Sequence, residues 1–373
     1  MKTIISGGGT GGHIYPAIAI ADALKQHDSA TSILFVGARG KMEMQQVPKA
    51  GYPIVGLSIR GFQRNKIRSN LVLPYQVLAS LWKARKLLKD FQPHVVVGTG
   101  GYASAPILYA AAKSKIPTLI QEQNATPGLT NRILARHVDT VCVAYQGMAK
   151  YFSKVKTVLT GNPVREDLMS LDKKRKAAYA YFGLTPEKKC LLVLGGSLGA
   201  QTMNESILHA VQSLSQAGLQ IIWATGQRYF DAIKAQLTQQ QQHHVKAYPF
   251  IRAMDLAYAA ADIVVSRAGA LTVSELCTVH KPTIFVPSPH VTADHQTQNI
   301  QPLVAQNAAL MVTDHEAPQQ LAQAVLRLIR SEAQQNTLAN NIKTWAKPNA
   351  TVDIIKEIIR LSKVTTTRST ITH

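Results

Sequence analysis

The segment Ser6-Gly-Gly-Gly-Thr-Gly-Gly-His13 decides the fold, because it follows a short apolar run and precedes a helical pattern over 16–27. Glycine has no Cβ, so a turn of this composition lets backbone N–H groups approach an anion closely. The helix that follows adds the positive end of its dipole. The segment therefore predicts a strand, a phosphate-binding turn and a helix, in that order.

Two more glycine turns, Gly98-Thr-Gly-Gly101 and Gly195-Gly-Ser-Leu-Gly199, also follow apolar runs. Strand-like runs alternate with helical patterns in both halves of the chain, which is typical of parallel sheets. The predicted strands are 3–6, 33–37, 95–98, 117–121, 140–144, 190–194, 220–225, 245–248, 263–266, 283–286 and 310–312. A length of 373 residues suits two domains. We therefore predict an α/β protein with two Rossmann-like, doubly wound parallel-sheet domains that face each other across a cleft.

The predicted domain boundary lies in Leu159-Thr-Gly-Asn-Pro-Val-Arg165, where glycine and proline follow a short strand. This divides the chain into an N-terminal domain, 1–162, and a C-terminal domain, 163–347. A C-terminal helix, about 348–363, is expected to pack back on the N-terminal domain. The Thr-rich end, 364–373, is expected to be disordered.

The charge of the chain is unevenly distributed. Its net charge is +20, of which residues 1–162 carry +14. A basic half predicts an acidic partner, such as nucleic acid, anionic lipid headgroups or a phosphorylated substrate. Aromatic residues are not interleaved with the basic ones as a base-stacking platform requires, so the sequence does not favour nucleic acid.

The stretch 71–89 has two interpretations. An apolar stripe that includes a tryptophan and has a basic rim suits a helix lying on an anionic membrane. The same pattern fits a helix that packs its apolar face on the core, and from the pattern alone this second interpretation is favoured. The candidate membrane patch comprises Leu71, Tyr75, Leu78, Leu81, Trp82, Lys83, Arg85 and Lys86.

The first glycine turn also matches the dinucleotide fingerprint, as Gly7-x-Gly9-x-x-Gly12. That fingerprint needs a carboxylate near the end of the second strand to bind a ribose. Here Ala38 and Arg39 follow the second predicted strand. An NAD-dependent oxidoreductase is therefore not supported.

His13 is the candidate general base. It lies where the first glycine turn ends and a helix begins, and the positive end of that helix disfavours the imidazolium form. Glycines leave room around it for a bulky substrate. A histidine that merely caps the turn is the alternative, and the placement favours catalysis.

In the second half, Arg267-Ala-Gly-Ala-Leu-Thr-Val-Ser-Glu275 follows a predicted strand and enters a helix. Its turn can offer N–H groups to a diphosphate, and Glu275 can accept hydrogen bonds from ribose hydroxyls. The amides of Asp294-His-Gln-Thr-Gln-Asn299 suit the recognition of sugar hydroxyls. A solvated helix face is the alternative for Glu275.

These motifs together resemble the MurG family, the lipid-linked peptidoglycan N-acetylglucosaminyltransferases of bacteria, which are inverting enzymes with a GT-B fold. The resemblance covers about residues 1–360, and Leu198 departs from it, since the family often has glutamine there. The motifs that carry it are Gly8-Gly-Thr-Gly-Gly-His13, Met42-Glu-x-x-x-Val-Pro-Lys49, Gly98-Thr-Gly-Gly-Tyr102, Glu122-Gln-Asn124, Gly161-Asn-Pro-Val-Arg165, Gly195-Gly-Ser197 and Gly269-Ala-Leu-Thr-Val-Ser-Glu275.

The resemblance implies transfer of GlcNAc from UDP-GlcNAc to the C4 hydroxyl of MurNAc-pentapeptide on undecaprenyl diphosphate, with inversion. It implies a peripheral protein on the cytoplasmic side of the inner membrane, and cell-wall synthesis and division proteins as partners. No Asp-x-Asp motif occurs in the chain, so neither a metal nor a cofactor is expected. Helix dipoles and backbone N–H groups are expected to stabilise the leaving UDP instead.

The resemblance also implies the residues of the site. Catalysis is assigned to His13, with Glu122 as the alternative base. The acceptor diphosphate is assigned to Gly12, His13, Gly100, Gly101 and Tyr102. The donor is assigned to Thr10, Gly11, Gly12, Asn124, Arg165, Ser197, Ile251, Ala270, Leu271, Thr272, Val273, Ser274, Glu275 and Gln296.

Two other functions use parts of this pattern. A UDP-sugar epimerase of the same architecture would share the donor pocket but would not need the basic patch with its tryptophan. A non-catalytic protein of the membrane surface would have no use for two opposed glycine-turn domains.

Overall fold

The computed structural model describes residues 1–61, 72–171, 173–196 and 198–370. The chain divides into two compact units. Unit 1 comprises Met1–Val164 and Asn349–His373, and unit 2 comprises Arg165–Pro348. The C-terminal segment thus belongs to the same unit as the N-terminus.

Within the described residues, unit 1 is built on a parallel sheet with the order β3-β2-β1-β4-β5-β6-β7. Its strands are β1 Lys2–Gly7, β2 Ser32–Ala38, β3 Ile54–Leu57, β4 Val95–Gly100, β5 Thr118–Glu122, β6 Thr140–Val143 and β7 Lys156–Leu159. The sequence did not predict β3, which has only four residues, one of them a glycine. The order reverses between β1 and β4, where ligands bind in open α/β sheets.

Both faces of this sheet are covered. Ile4 and Val96 belong to one apolar cluster and Ile5 and Val97 to the other, because successive side chains of a strand point to opposite faces. The α-helices of unit 1 are α1 Gly11–His27, α2 Glu43–Lys49, α3 Leu73–Phe91, α4 Ser104–Lys113, α5 Leu129–Leu134 and the C-terminal helix, Ala350–Thr370. Helices α3, α4 and α5 pack into the first cluster, and α1 and the C-terminal helix pack into the second.

The C-terminal helix extends into the Thr-rich end of the chain. Its backbone is helical through Thr370, beyond residue 363, where the sequence predicted the helix to end. No glycine or proline occurs after Pro348, so nothing in the local sequence ends the helix at that point.

Unit 2 repeats the arrangement, with the strand order β10-β9-β8-β11-β12-β13, all parallel. Its strands are β8 Cys190–Leu194, β9 Gln220–Ala224, β10 Val245–Tyr248, β11 Ile263–Ser266, β12 Thr283–Phe285 and β13 Leu310–Met311. Its α-helices are α6 Arg175–Phe182, α7 Gln201–Gln216, α8 Gln227–Gln236, α9 Gln239–His244, α10 Met254–Ala260, α11 Ala270–Val279, α12 His295–Ala305, α13 Ala317–Arg330 and α14 Glu332–Lys343. The predicted α/β class and its two parallel sheets are confirmed.

None of the helices in the described part of the chain is both long and apolar enough to cross a membrane.

Candidate active site

The first glycine turn joins β1 to α1. Gly9 has φ +87°, a conformation that favours glycine. The carbonyl of Thr10 accepts hydrogen bonds from the N–H groups of His13, at 3.1 Å, and Ile14, at 3.2 Å. The Thr10 side chain makes no cap to the helix. The N–H groups of Gly11 and Gly12, which open the helix, are therefore the turn's candidates for binding an anion.

The His13 ring has a defined hydrogen-bonding role. Its Nδ1 lies 3.1 Å from the carbonyl oxygen of Gly8. A carbonyl oxygen can only accept, so Nδ1 carries the hydrogen and the lone pair of the neutral ring is on Nε2. The backbone of the residue is held as well, because the Thr99 hydroxyl donates to the His13 carbonyl at 2.6 Å. This arrangement presents Nε2 as the basic atom.

The second glycine turn packs directly against the first. Gly100 and Gly101 have φ +105° and +79°. A Cβ at Gly100 would lie 2.9 Å from Cδ2 of His13, and one at Gly101 would overlap the carbonyl oxygen of Gly8. Only glycine permits this approach, so the structure brings four of the predicted acceptor residues together: Gly12, His13, Gly100 and Gly101.

Tyr102 lies beside the same turns. A Cβ at Gly9 would lie 3.6 Å from its ring. Burial raises the pKa of the Tyr102 hydroxyl, and the nearby Glu43 carboxylate raises it further. The phenol therefore stays protonated at neutral pH and can donate a hydrogen bond.

The carboxylate of Glu122, the alternative base, already accepts several hydrogen bonds within the protein. Only 1% of it is exposed, and its two oxygens accept hydrogen bonds from both nitrogens of Asn124 and from Gly128 N and Asn131 Nδ2, at 2.8 to 3.2 Å. Four donors saturate a carboxylate. Glu122 is thus suited to organising the loop that carries Asn124 rather than to taking a proton. Asn131, which sequence reasoning missed, also lies beside Gly100.

In unit 2, the third glycine turn packs against another glycine. A Cβ on Gly226 (φ +85°) would overlap the backbone of Gly199, and a Cβ on Gly199 (φ +78°) would overlap the carbonyl oxygen of Thr225. Leu198 at this turn is 74% exposed. Ser197, predicted to bind the donor, lies outside the described residues.

The loop between β11 and α11 is held by two amide side chains of α12. Gln296 Oε1 accepts from the N–H groups of Ala268, at 3.1 Å, and Ser288, at 2.8 Å. Asn299 Nδ2 donates to the carbonyl of Ala268 at 3.3 Å. Because both lone pairs of the Gln296 oxygen are taken, what Gln296 can present to a sugar is its Nε2 hydrogens.

Arg267 stabilises this loop rather than a ligand. Its guanidinium donates to the carbonyls of Val286 and Pro287 and pairs with Asp314, and its side chain is only 12% exposed. The N-cap of α11 is Gly269, which has no side chain to cap the helix. The start of α11 is therefore open to an anion in the manner of other phosphate-binding helices.

Glu275 lies further along α11 and is held by Tyr258. The Tyr258 hydroxyl donates to Glu275 Oε2 at 2.9 Å. Burial raises the pKa of the Glu275 carboxyl, and the charge of Arg165 and the bond from Tyr258 oppose that rise. Burial and the Glu275 charge raise the pKa of Tyr258 well above its ordinary value. No motif in the sequence indicated Tyr258, which lies on α10.

Two predicted donor residues, Ile251 and Val273, are 4% and 2% exposed and belong to the core. A ligand can therefore reach them only through their backbone. The other predicted donor residues fall into two groups. Thr10, Gly11, Gly12 and Asn124 lie in unit 1, and Arg165, Ala270, Leu271, Thr272, Ser274, Glu275 and Gln296 lie in unit 2.

The exposed face of α3 favours a helix that lies on a membrane surface over a helix that packs its apolar face on the core. Tyr75, Leu78 and Trp82 are 73%, 67% and 69% exposed, and their spacing places them on one face. The core is instead contacted by Ser80, Ala84 and Leu88 on the other face. The predicted core-facing alternative is therefore wrong for these three large side chains.

Two members of the predicted membrane patch, Leu81 and Lys83, are not exposed, and a third, Leu71, lies outside the described residues. Leu81 is partly buried. Lys83 turns inward, where its ammonium donates to the carbonyl of Gly56 at 2.8 Å. Burial lowers the pKa of Lys83, and the charge of Arg39 lowers it further. Arg85 and Lys86 are exposed as predicted.

Two family models match the chain: the N-terminal domain of glycosyltransferase family 28 over residues 3–143, and the C-terminal domain of the same family over residues 190–358. A curated protein of Amoebophilus asiaticus is 51% identical over 356 residues, which are 95% of this chain and 98% of that protein. It is named UDP-N-acetylglucosamine--N-acetylmuramyl-(pentapeptide) pyrophosphoryl-undecaprenol N-acetylglucosamine transferase.

Solved structures agree with these matches. The crystal structure of Acinetobacter baumannii MurG is similar with a TM-score of 0.76 and 28% identity, over 96% of this chain and 99% of that one. A UDP-GlcNAc 2-epimerase from Neisseria meningitidis is similar with a TM-score of 0.68 over 96% of this chain and 100% of that one, but at 16% identity this likeness shows the fold alone. The chain therefore belongs to glycosyltransferase family 28, and within it to the MurG family.

The close approach of the two glycine turns can be tested by Gly101→Ala. The new Cβ would overlap the Gly8 carbonyl, in addition to the roughly 1–2 kcal/mol that a left-handed conformation costs a residue other than glycine. The control is Gly40→Ala, where φ is +69° but a Cβ meets nothing within 4 Å. Urea unfolding should show a larger loss of stability for Gly101→Ala. Equal losses would mean that the turns do not meet as described.

Proposed function

We propose that this protein transfers GlcNAc from UDP-GlcNAc to the C4 hydroxyl of undecaprenyl-diphosphate-linked MurNAc-pentapeptide, with inversion at the anomeric carbon and without a metal ion. The family membership supports the substrates. The single observation that carries the mechanism is the His13 ring, whose Nδ1 is committed to the Gly8 carbonyl and whose Nε2 therefore holds the lone pair.

In this proposal His13 acts on the acceptor. A sugar hydroxyl is a poor nucleophile at neutral pH, so Nε2 takes the C4 hydroxyl proton as the oxygen attacks the anomeric carbon. A single displacement of this kind inverts the configuration. The acceptor diphosphate lies against the N–H group of Gly12, the second glycine turn and Tyr102, so that the hydroxyl lies near the ring.

The donor is held by unit 2. The carboxylate of Glu275, fixed by Tyr258, accepts hydrogen bonds from the ribose, and the amide hydrogens of Gln296 bind the GlcNAc hydroxyls. The start of α11 and the Arg165 guanidinium stabilise the diphosphate, whose negative charge grows as UDP leaves. Among the described residues, no group of three or more His, Cys, Asp and Glu side chains is arranged to hold a metal ion.

The exposed face of α3 is proposed to dock on an anionic membrane surface. Tyr75, Leu78 and Trp82 would enter the headgroup region while Arg85 and Lys86 pair with lipid phosphates. In this proposal the protein acts at the cytoplasmic side of the inner membrane, where its lipid-linked acceptor lies. Cell-wall synthesis and division proteins are the proposed protein partners.

The reaction is tested by transfer of radiolabelled GlcNAc from UDP-GlcNAc to a lipid-linked muramoyl-pentapeptide, with and without EDTA. We expect a lipid-linked disaccharide product with a β-1,4 bond, formed equally well in EDTA. His13→Ala should lower kcat by ~10²–10⁴-fold, the usual contribution of a general base, with the donor KM nearly unchanged. Near-normal kcat in His13→Ala, together with loss of kcat in Glu122→Ala, would move the role of base to Glu122.

Glu275→Ala should raise the donor KM about 10- to 100-fold, because a hydrogen bond to a charged group contributes roughly 1.5–3 kcal/mol. The raised pKa of Glu275 adds a pH dependence: donor binding should weaken as the pH falls through a range in which an ordinary glutamate is still ionised. The control is Glu205→Ala, an exposed residue of α7 in the same unit. Donor titration by calorimetry checks both, and an unchanged affinity in Glu275→Ala would remove it from the ribose site.

The double variant Leu78→Ser, Trp82→Ser should bind anionic vesicles at least ~10-fold more weakly, since burying each side chain contributes roughly 1.5–3 kcal/mol. Its melting temperature should not change, because both side chains are largely exposed. Val352→Ser, on the C-terminal helix, is the matched control at 52% exposure. Vesicle co-sedimentation at low and high salt measures the effect. Full vesicle binding by the double variant would exclude this face.

A further inference from the structure

A hydrogen-bond chain joins the Glu43 carboxylate to the His13 ring through a single peptide group. The N–H of Gly9 donates to Glu43 Oε2 at 3.0 Å. The carbonyl of Gly8 belongs to the same peptide group and accepts from His13 Nδ1 at 3.1 Å. The carboxylate and the imidazole thus bind opposite ends of one amide.

Glu43 is fixed in this position. Its side chain is 0% exposed, and its other oxygen accepts from the N–H of Ala38 at 2.9 Å. A Cβ at Gly8, in the first glycine turn, or at Gly37, in β2, would overlap the Glu43 side chain, so glycine at both positions leaves room for it. Among the ion pairs of the described residues Glu43 has no cationic partner. Its charge is therefore directed at the backbone N–H groups.

This geometry resembles the carboxylate–histidine pair of other catalytic sites, with a peptide group between the two. A negative charge beside the N–H of an amide polarises that amide, and the polarisation increases the electron density on its carbonyl oxygen. The bond from Nδ1 to Gly8 becomes stronger, which fixes the tautomer. It becomes stronger again when the ring gains a positive charge.

We propose that Glu43 is a positioning residue for His13 and acts through the Gly8–Gly9 peptide group. The inference rests on the proposed role of His13 as the base. During the reaction the C4 hydroxyl proton moves to Nε2 and the Nδ1 hydrogen stays on the ring. Glu43 is not a reactant in this step and does not contact the substrate.

The kinetic test is Glu43→Gln, which keeps the shape of the side chain but replaces one acceptor oxygen with a donor. We expect kcat to fall at least ~10-fold with the donor KM unchanged, as for other groups that orient a catalytic histidine. The control is Asp139→Asn. That carboxylate also accepts from a backbone N–H, of Thr118 at 2.8 Å, but at the opposite, amino-terminal ends of the strands. Equal kcat values for Glu43→Gln and Asp139→Asn would overturn the proposal.

A second measurement is independent of activity. Nitrogen-15 NMR of the substrate-free protein, at a pH where the ring is neutral, reports which nitrogen of His13 carries the hydrogen. We expect the Nδ1–H form in the wild type and a larger Nε2–H population in Glu43→Gln. An unchanged tautomer in the variant would overturn the inference, whereas normal activity of His13→Ala would instead overturn the proposed base.

The wild type alone remains informative if Glu43→Gln does not fold. In that case the Gly9 amide proton should resonate far downfield, as an N–H donated to a carboxylate does, and His13 should be in the Nδ1–H form. A Gly9 proton at an ordinary shift, or an Nε2–H ring, would contradict the chain of hydrogen bonds.

Discussion

The hydrogen bond from His13 Nδ1 to the Gly8 carbonyl is the interaction on which the acceptor side depends. It exists because the first glycine turn bends the backbone back toward the start of α1. Gly101 leaves the space that the carbonyl occupies, and Thr99 holds the backbone of His13 from the other side. A side chain at Gly100 or Gly101 would meet the His13 ring, so contact alone already requires glycine at these two positions.

In unit 2, the loop before α11 is held by side chains rather than by a second glycine turn. Its diphosphate-binding candidate, the start of α11, has glycine as its N-cap, and the preceding loop is held from behind by Gln296 and Asn299. Arg267 donates to backbone carbonyl groups and pairs with Asp314, so it stabilises the loop rather than a ligand. In both units, side chains that carry charge or amide groups hold the backbone of the turns, and in the proposed function that backbone presents N–H groups to the substrate.

Much of this architecture could be predicted from the sequence, because apolar runs followed by glycine turns are local signals. The strands before all three glycine turns were predicted for this reason, whereas β3 was missed because Ile54–Leu57 is short and contains Gly56. The contributions of Tyr258 and Asn131 could not be predicted, since each depends on a contact between distant parts of the chain. The pattern of 71–89 was ambiguous for the same reason: only the packing of α3 shows that Trp82 faces outward and Lys83 inward.

In the proposed mechanism, Nε2 of His13 takes the proton from the acceptor hydroxyl. Chemical rescue tests it most directly: initial rates of the His13→Ala variant are measured with increasing imidazole in the buffer. If His13 is the base, we expect imidazole to restore part of the lost kcat, in proportion to the concentration of its neutral form. A folded variant that binds the donor normally and gains no rate from imidazole would contradict it.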